Sequence, residues 1–205
     1  MQLNRSELNT KTADRSVISE TLAASHFTPA KNLGCFGDGG LVTTNDEKLA
    51  EKLKILRVHG GMPKYYHKII GGNFRIDALQ AAVLNVKLPH LDTWTEKRQM
   101  NAELYTELFK QNGLAEEEGR LKFDEKNSVL LPMPVYKKYD LKHYHIYNQY
   151  IIRVQNRDEL RKFMTENEIG TEIYYPVPFH LQECFAYLGY KKGDFPVSEE
   201  CAAET

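Results

Sequence analysis

Between Pro29 and Gly40 the chain sets one lysine among a proline and four glycines: Pro29-Ala30-Lys31-Asn32-Leu33-Gly34-Cys35-Phe36-Gly37-Asp38-Gly39-Gly40. Proline fixes one backbone angle and glycine opens others, so this density dictates a tight, non-repetitive turn. Gly40 to Thr44 follows and reads as a short strand rich in β-branched residues. A lone lysine near Gly and Pro is ordinarily a solvated turn residue. A lysine pinned in tight backbone and partly desolvated has a second use. Its ammonium can lose a proton, and the free amine can form a Schiff base.

The chain has 205 residues and 41% hydrophobic content, enough for one sizeable core or two small ones. Its 27 basic and 28 acidic residues leave a formal net charge of −1. No basic surplus points to nucleic acid, so partners held by specific chemistry are expected. Cys35, Cys184 and Cys201 are odd in number and lack metal-ligand spacing, against a disulfide framework or a zinc ribbon. A reducing, cytoplasmic setting is expected. Residues 1–20 carry no apolar signal core, and no apolar run approaches bilayer length. The histidines lack metal spacing, and no Ser/His/Asp order is readable.

Taken in order, residues 1–24 are polar and aperiodic, and are expected to be poorly defined. Asn45 is placed to cap a helix, with Asp46 and Glu47 in its first turn and Leu49, Leu53 and Leu56 on one face. His59-Gly60-Gly61 ends it. A loop rich in Tyr, His and Gly runs over 62–75 to Gly71-Gly72-Asn73-Phe74-Arg75, where paired glycines permit close backbone approach. Asp77 can cap the next helix, with Leu79, Ala82, Val83 and Val86 as its core face and Pro89 as a break or kink. A longer helix carrying Trp94, Leu104 and Leu108 closes at Asn112-Gly113. The two helices read as a spine, with a domain boundary near Gly113 dividing 25–113 from 114–205.

Past an aperiodic charged stretch over 114–127, an extended edge segment is expected over 129–136 and a strand over 147–154. A helix capped by Asn156, with Glu159 completing a capping box, would bury Leu160, Phe163 and Met164. Ile173-Tyr174-Tyr175 reads as a further strand stopped by Pro176 and Pro178. Strand, helix and strand suggest a small α/β domain. Ala202 to Thr205 reads as the middle of a new helix start.

Four of these stretches, in register, resemble the DegT/StrS family of sugar aminotransferases. They are Pro29 to Gly34 with Gly37 to Gly40, Leu56-Arg57-Val58-His59-Gly60, Gly71 to Ala82, and Tyr175-Pro176-Val177-Pro178-Phe179-His180. The resemblance runs from about Phe27 to the end. It implies an α/β chain: the C-terminal part of a fold type I pyridoxal-phosphate transferase large domain, plus a small α/β domain. Lys31 would hold pyridoxal 5'-phosphate in Schiff-base linkage and, once freed, would shuttle a proton between substrate carbon and cofactor. The implied substrates are a nucleotide-linked keto sugar and an amino donor, typically glutamate. The implied assembly is a homodimer, with Asn73 reaching the cofactor phosphate of the neighbouring subunit. A Gly-Gly-Asn turn opening a helix would suit that anion.

The chain departs from the family pattern in three places. The family's phosphate-binding serine, five positions before the lysine, is His26 here, and Ser25 stands one place earlier. Either becomes the candidate phosphate ligand. Asn148 stands where many relatives carry histidine, and an amide can still bond a substrate. Residues 1–24 show no Gly-rich phosphate turn, ring-stacking aromatic or ring-nitrogen aspartate, so the chain reads as a fragment truncated at both ends.

His180 would face the active-site mouth by analogy, a surface-loop role being the alternative. His59 suits a helix C-terminus. Tyr65, Tyr66, Tyr144 and Tyr147 read as packing and interface, Arg75 as a structural ion pair, and the cysteines as inert. Lys31, in place of the histidine of a dehydrating relative, favours transamination. The rival function is a non-catalytic, truncated or degenerate paralogue acting only by association.

Overall fold

The computed structural model describes residues 22–205. Most of the segment expected to be poorly defined lies outside the described residues. Strands β1 (Ala23–His26) and β2 (Gly40–Thr43) pair antiparallel, with Ala23 opposite Thr43 and His26 opposite Gly40. The strand expected after the glycines is therefore present. Its partner, Ala-Ala-Ser-His, went unread because it holds no β-branched or aromatic run, the usual strand signal.

Helix α1 (Glu47–Leu56) starts one residue later than expected. Asp46 is its N-cap, accepting the Leu49 N–H at 3.1 Å, while its own N–H donates to Thr44 Oγ1. Asn45 takes no part in that cap. Helix α2 (Ala78–Lys87) follows Asp77, which holds the N-cap position without a side-chain bond. Its buried residues are Ala81 and Leu84, whereas Leu79 is 69% and Val86 71% exposed. The expected core face is thus rotated. The helix is apolar on more than one side, and periodicity cannot choose which side is covered. Leu84 and Leu88 join Phe27, Leu33 and Cys35 in one buried cluster, flanked by Leu41, Ile76 and Leu91. Pro89 sits in a 3-10 turn, Leu88–His90, that leads directly into α3 (Leu91–Gln111).

The chain divides into two compact units between Glu96 and Lys97, inside α3. In the second unit, β3 (Val129–Leu130) and β4 (Arg153–Val154) pair antiparallel. Ala115, Val129, Leu131 and Val154 form the core there, with Phe109 and Ile152 against it. Buried Asn127 accepts the Glu116 N–H and donates to Asp124, both at 2.8 Å, which fixes the charged 114–127 stretch as an ordered turn. The strand expected over 147–154 shrinks to its last two residues. Tyr147, with φ of 39°, is left-handed and cannot extend a ladder.

Helix α4 (Arg157–Glu166) lies where it was expected, but the Asn156 side chain makes no capping bond. Its expected core face is open, with Leu160 and Phe163 exposed. Ile173 to Tyr175 forms no strand, since Pro176 and Pro178 remove the donors that a ladder needs. Ala202 and Glu204 lie within α5 (Pro196–Glu204), a helix of nine residues that starts on a proline. Arg157 Nη1 donates to the carbonyls of Ala202 and Thr205, and Arg153 pairs with Glu204, so both arginines tie this helix down.

Candidate active site

Lys31 rides on residues 27–39, the loop between β1 and β2. Backbone bonds close this loop from inside. Phe27 N–H donates to Gly39 O at 2.8 Å, Cys35 N–H to Phe27 O at 2.8 Å, and Lys31 N–H to Thr28 O at 2.9 Å. The Cys35 thiol adds bonds to Phe27 O and Gly37 O. Phe27, Leu33 and Cys35 sink into the core, so the loop is anchored on both sides of the lysine. Gly34 has no room for a side chain: a Cβ there would lie 2.6 Å from Thr28 O and 2.7 Å from Pro29 O. The Lys31 side chain is exposed. The backbone is pinned as the sequence implies, while the amine stands in solvent.

Ser25 and His26 are neighbours in β1, paired with Leu41 and Gly40. Successive strand residues face opposite sides. One phosphate therefore cannot take both side chains from this strand.

Asn73 is not at a helix start. It bridges Val58, and α2 begins at Ala78. The glycines before it serve close approach of the chain to itself: a Cβ on Gly71 would meet Leu56 O at 2.4 Å and Gly60 N at 2.6 Å. Arg75 Nε donates to Asn73 Oδ1 at 2.9 Å, in place of the expected ion pair. That bond fixes the amide and turns its Nδ2 donors away from the arginine.

In the second unit His180 is nearly buried. Its Nε2 meets Glu199 Oε1 at 2.9 Å, its ring lies 4.8 Å from that of Phe195, and Glu199 also takes the Gly193 N–H. This cluster was not foreseen, because no helical or strand period links His180 to Glu199, 19 residues on. Asn148 is exposed, beside buried Tyr147. Tyr144, His145, Tyr147 and Tyr150 pack on one another, and burial pushes Tyr147 up to about 12. Tyr144 donates to Glu103, which Lys137 and Tyr144 hold below the ordinary carboxylate range. Tyr65 and Tyr66 are exposed. All three cysteines are free, and no cluster of metal-ligating side chains occurs among the described residues. No helix among them is long and apolar enough to cross a membrane.

The Gly193 N–H, then His180, lowers the Glu199 carboxyl from its ordinary 4.5. A group lowered in the folded state contributes stability above its unfolded value and loses it as pH falls through the folded value. Thermal melts are therefore expected to drop below about pH 4.5, and less so in Glu199→Gln. An unchanged pH profile in that variant would contradict the Glu199 contacts.

A family model for the DegT/DnrJ/EryC1/StrS aminotransferases matches residues 10–205. The chain belongs to this family. A pleiotropic regulatory protein of Geobacillus stearothermophilus is 48% identical over 184 residues, 90% of this chain and 45% of that protein. The dTDP-3-amino-3,4,6-trideoxy-alpha-D-glucose transaminase of Streptomyces venezuelae is 38% identical, over 90% of this chain and 44% of its own. The crystal structure of S. venezuelae DesV in complex with a ketimine intermediate superposes with a TM-score of 0.72 at 37% identity. That match covers 89% of this chain and 44% of DesV. The chain thus spans a little under half the length of these relatives. The fold is part of the α/β, fold type I architecture, and the cofactor of the DegT/DnrJ/EryC1/StrS family is pyridoxal 5'-phosphate.

Proposed function

We propose that this chain is the lysine-bearing portion of an aminotransferase that moves an amino group from glutamate to a nucleotide-linked keto sugar. The observation that carries this reading is the placement of Lys31: an exposed primary amine on a loop that its own backbone and three buried side chains hold still. The groups present fit pyridoxal phosphate. Lys31 would supply the amine for its carbonyl and Ser25 or His26 a donor for its phosphate, while Asn73 Nδ2 would supply a donor for the phosphate of the neighbouring subunit's cofactor. When bound, the cofactor provides an electron sink for charge developing at the substrate carbon.

Lys31 then has two tasks. Its amine would hold the cofactor in place between turnovers. Once freed from that linkage, its Nζ would be the base that takes up the substrate proton and the acid that gives it back. Arg75 keeps the Asn73 amide oriented for its anion. Asn148 and His180 are the groups we assign to the sugar substrate. The assembly is a homodimer, in which Asn73 serves the neighbouring subunit's cofactor.

The test is direct. Pyridoxal 5'-phosphate is added to the purified chain, borohydride fixes the linkage, and peptide mapping locates the label. The expected label is on Lys31 ahead of every other lysine. Label absent, or spread over surface lysines, would return the chain to a role by association alone.

A further inference from the structure

We infer that Gln80 and Lys87 of α2 are positioning residues for Lys31, acting as a two-point polar clamp on the lysine loop. The inference rests on the role proposed above for Lys31. Gln80 Oε1 accepts the Phe36 N–H at 2.8 Å. Lys87 Nζ donates to Gly34 O at 2.6 Å. The two side chains stand seven residues apart, two helical turns, and so share one face of α2. Between them Leu84, fully buried, packs with Phe27, Leu33 and Cys35. The helix thus offers the loop an apolar ridge with a polar grip at each end.

The two grips have a purpose that the apolar ridge cannot serve. Hydrophobic burial is non-directional and fixes how deep the loop sits, not how it is turned. A hydrogen bond has a preferred angle as well as a length. Gly34 is already wedged against Thr28 O and Pro29 O, and Lys87 takes its remaining carbonyl with a charge-assisted bond. Phe36 is held on the far side of Cys35 by the neutral amide of Gln80. With both points fixed, the chain from Thr28 to Gly34 has one pose, and the amine on Lys31 has one base to swing from. A reacting amine misplaced by about 1 Å can lose about a hundredfold in rate, so such a grip belongs near a nucleophile.

The test uses the whole chain and four variants: Gln80→Met and Lys87→Met, which remove the grips at similar length, and Gln80→Glu and Lys87→Arg, which keep the acceptor or the donor. The first readout needs no cofactor. Amide hydrogen exchange at Phe36 is expected to speed up at least about fivefold in Gln80→Met, with α2 amides unchanged and with recovery in Gln80→Glu. The second is the share of borohydride-fixed pyridoxal label on Lys31, expected to fall at least about fivefold in both Met variants and to return in the conservative ones. Equal exchange and equal label in Gln80→Met and the unsubstituted chain would overturn the clamp. So would equal losses in Gln80→Met and Gln80→Glu, which mark simple damage to packing. If the unsubstituted chain takes no label at Lys31, the functional reading falls, and the exchange readout alone judges the clamp.

Discussion

A chain carrying Lys31→Ala is expected to lose all pyridoxal label at the loop while melting within about 2 °C of the unsubstituted chain. The two halves of that result have separate causes. Lys31 contributes its backbone to the loop, through the N–H that meets Thr28 O, and alanine keeps that bond. Its side chain is exposed and is no part of the buried cluster. Exposed substitutions away from packed features typically change stability by no more than about 0.5 kcal/mol. The chemistry has no such reserve. No other lysine lies within residues 27–39, so no neighbour can take over the linkage. Lys31→Arg separates charge from nucleophilicity. The guanidinium keeps the positive charge but stays protonated and cannot attack a carbonyl. Arginine is therefore expected to behave as alanine does. In any assembly built on this chain that turns over, either variant is expected to lower the rate by at least about 10²-fold, since proton transfer by a placed group alone contributes about 10²–10⁴. Retained label in Lys31→Ala would show that the cofactor goes elsewhere.

The loop was legible because its chemistry is local. Proline and glycine act on their own backbone, so Pro29 and the glycines up to Gly40 announce a tight turn without help from the rest of the chain. The helices were legible for a related reason: Leu49, Leu53 and Leu56 repeat at the helical period, and α1 ends at Leu56. What failed depended on contacts across the chain. Helix α2 carries apolar residues on several sides, and only the loop packed against it decides that Leu84 is inside and Leu79 outside. Helix α4 likewise shows Phe163 to solvent. Within the site, the Gly71-Gly72-Asn73 turn was expected to open a helix, yet residues 74–77 carry no regular structure and α2 begins only at Ala78. The bonds from Gln80 and Lys87 to the loop span 44 and 53 residues, and no spacing rule reaches that far. The family resemblance, by contrast, needed only four short motifs in order, and the match over residues 10–205 agrees with it.

Gly34→Ala is expected to do the reverse of Lys31→Ala: the amine stays, and the loop that aims it is lost. Glycine here is a matter of space, not of an unusual backbone angle. The added Cβ would sit 2.6 Å from Thr28 O and 2.7 Å from Pro29 O, far inside contact distance, and both obstacles are backbone. No rotamer change can relieve them. Either the Thr28–Lys31 turn opens, or Gly34 moves outward and strains the Lys87 bond to its carbonyl. Overpacking a fitted interior costs about 1–3 kcal/mol, and a clash against two carbonyls belongs at the upper end. A loss of about 3 kcal/mol corresponds to a melting point lower by about 6–12 °C for a chain of this size. The label on Lys31 is expected to fall by about a hundredfold, because an amine moved by about 1 Å no longer meets its target in line. Gly170→Ala is the matched control. Nothing lies within 4 Å of a Cβ there, and its backbone angle is ordinary. It is expected to leave the label untouched and the melting point equal or slightly higher, as a less flexible unfolded chain implies. A Gly34→Ala chain that melts and labels as the Gly170→Ala chain does would show that the turn around Lys31 tolerates a side chain, and that the amine is not held by the packing described for it.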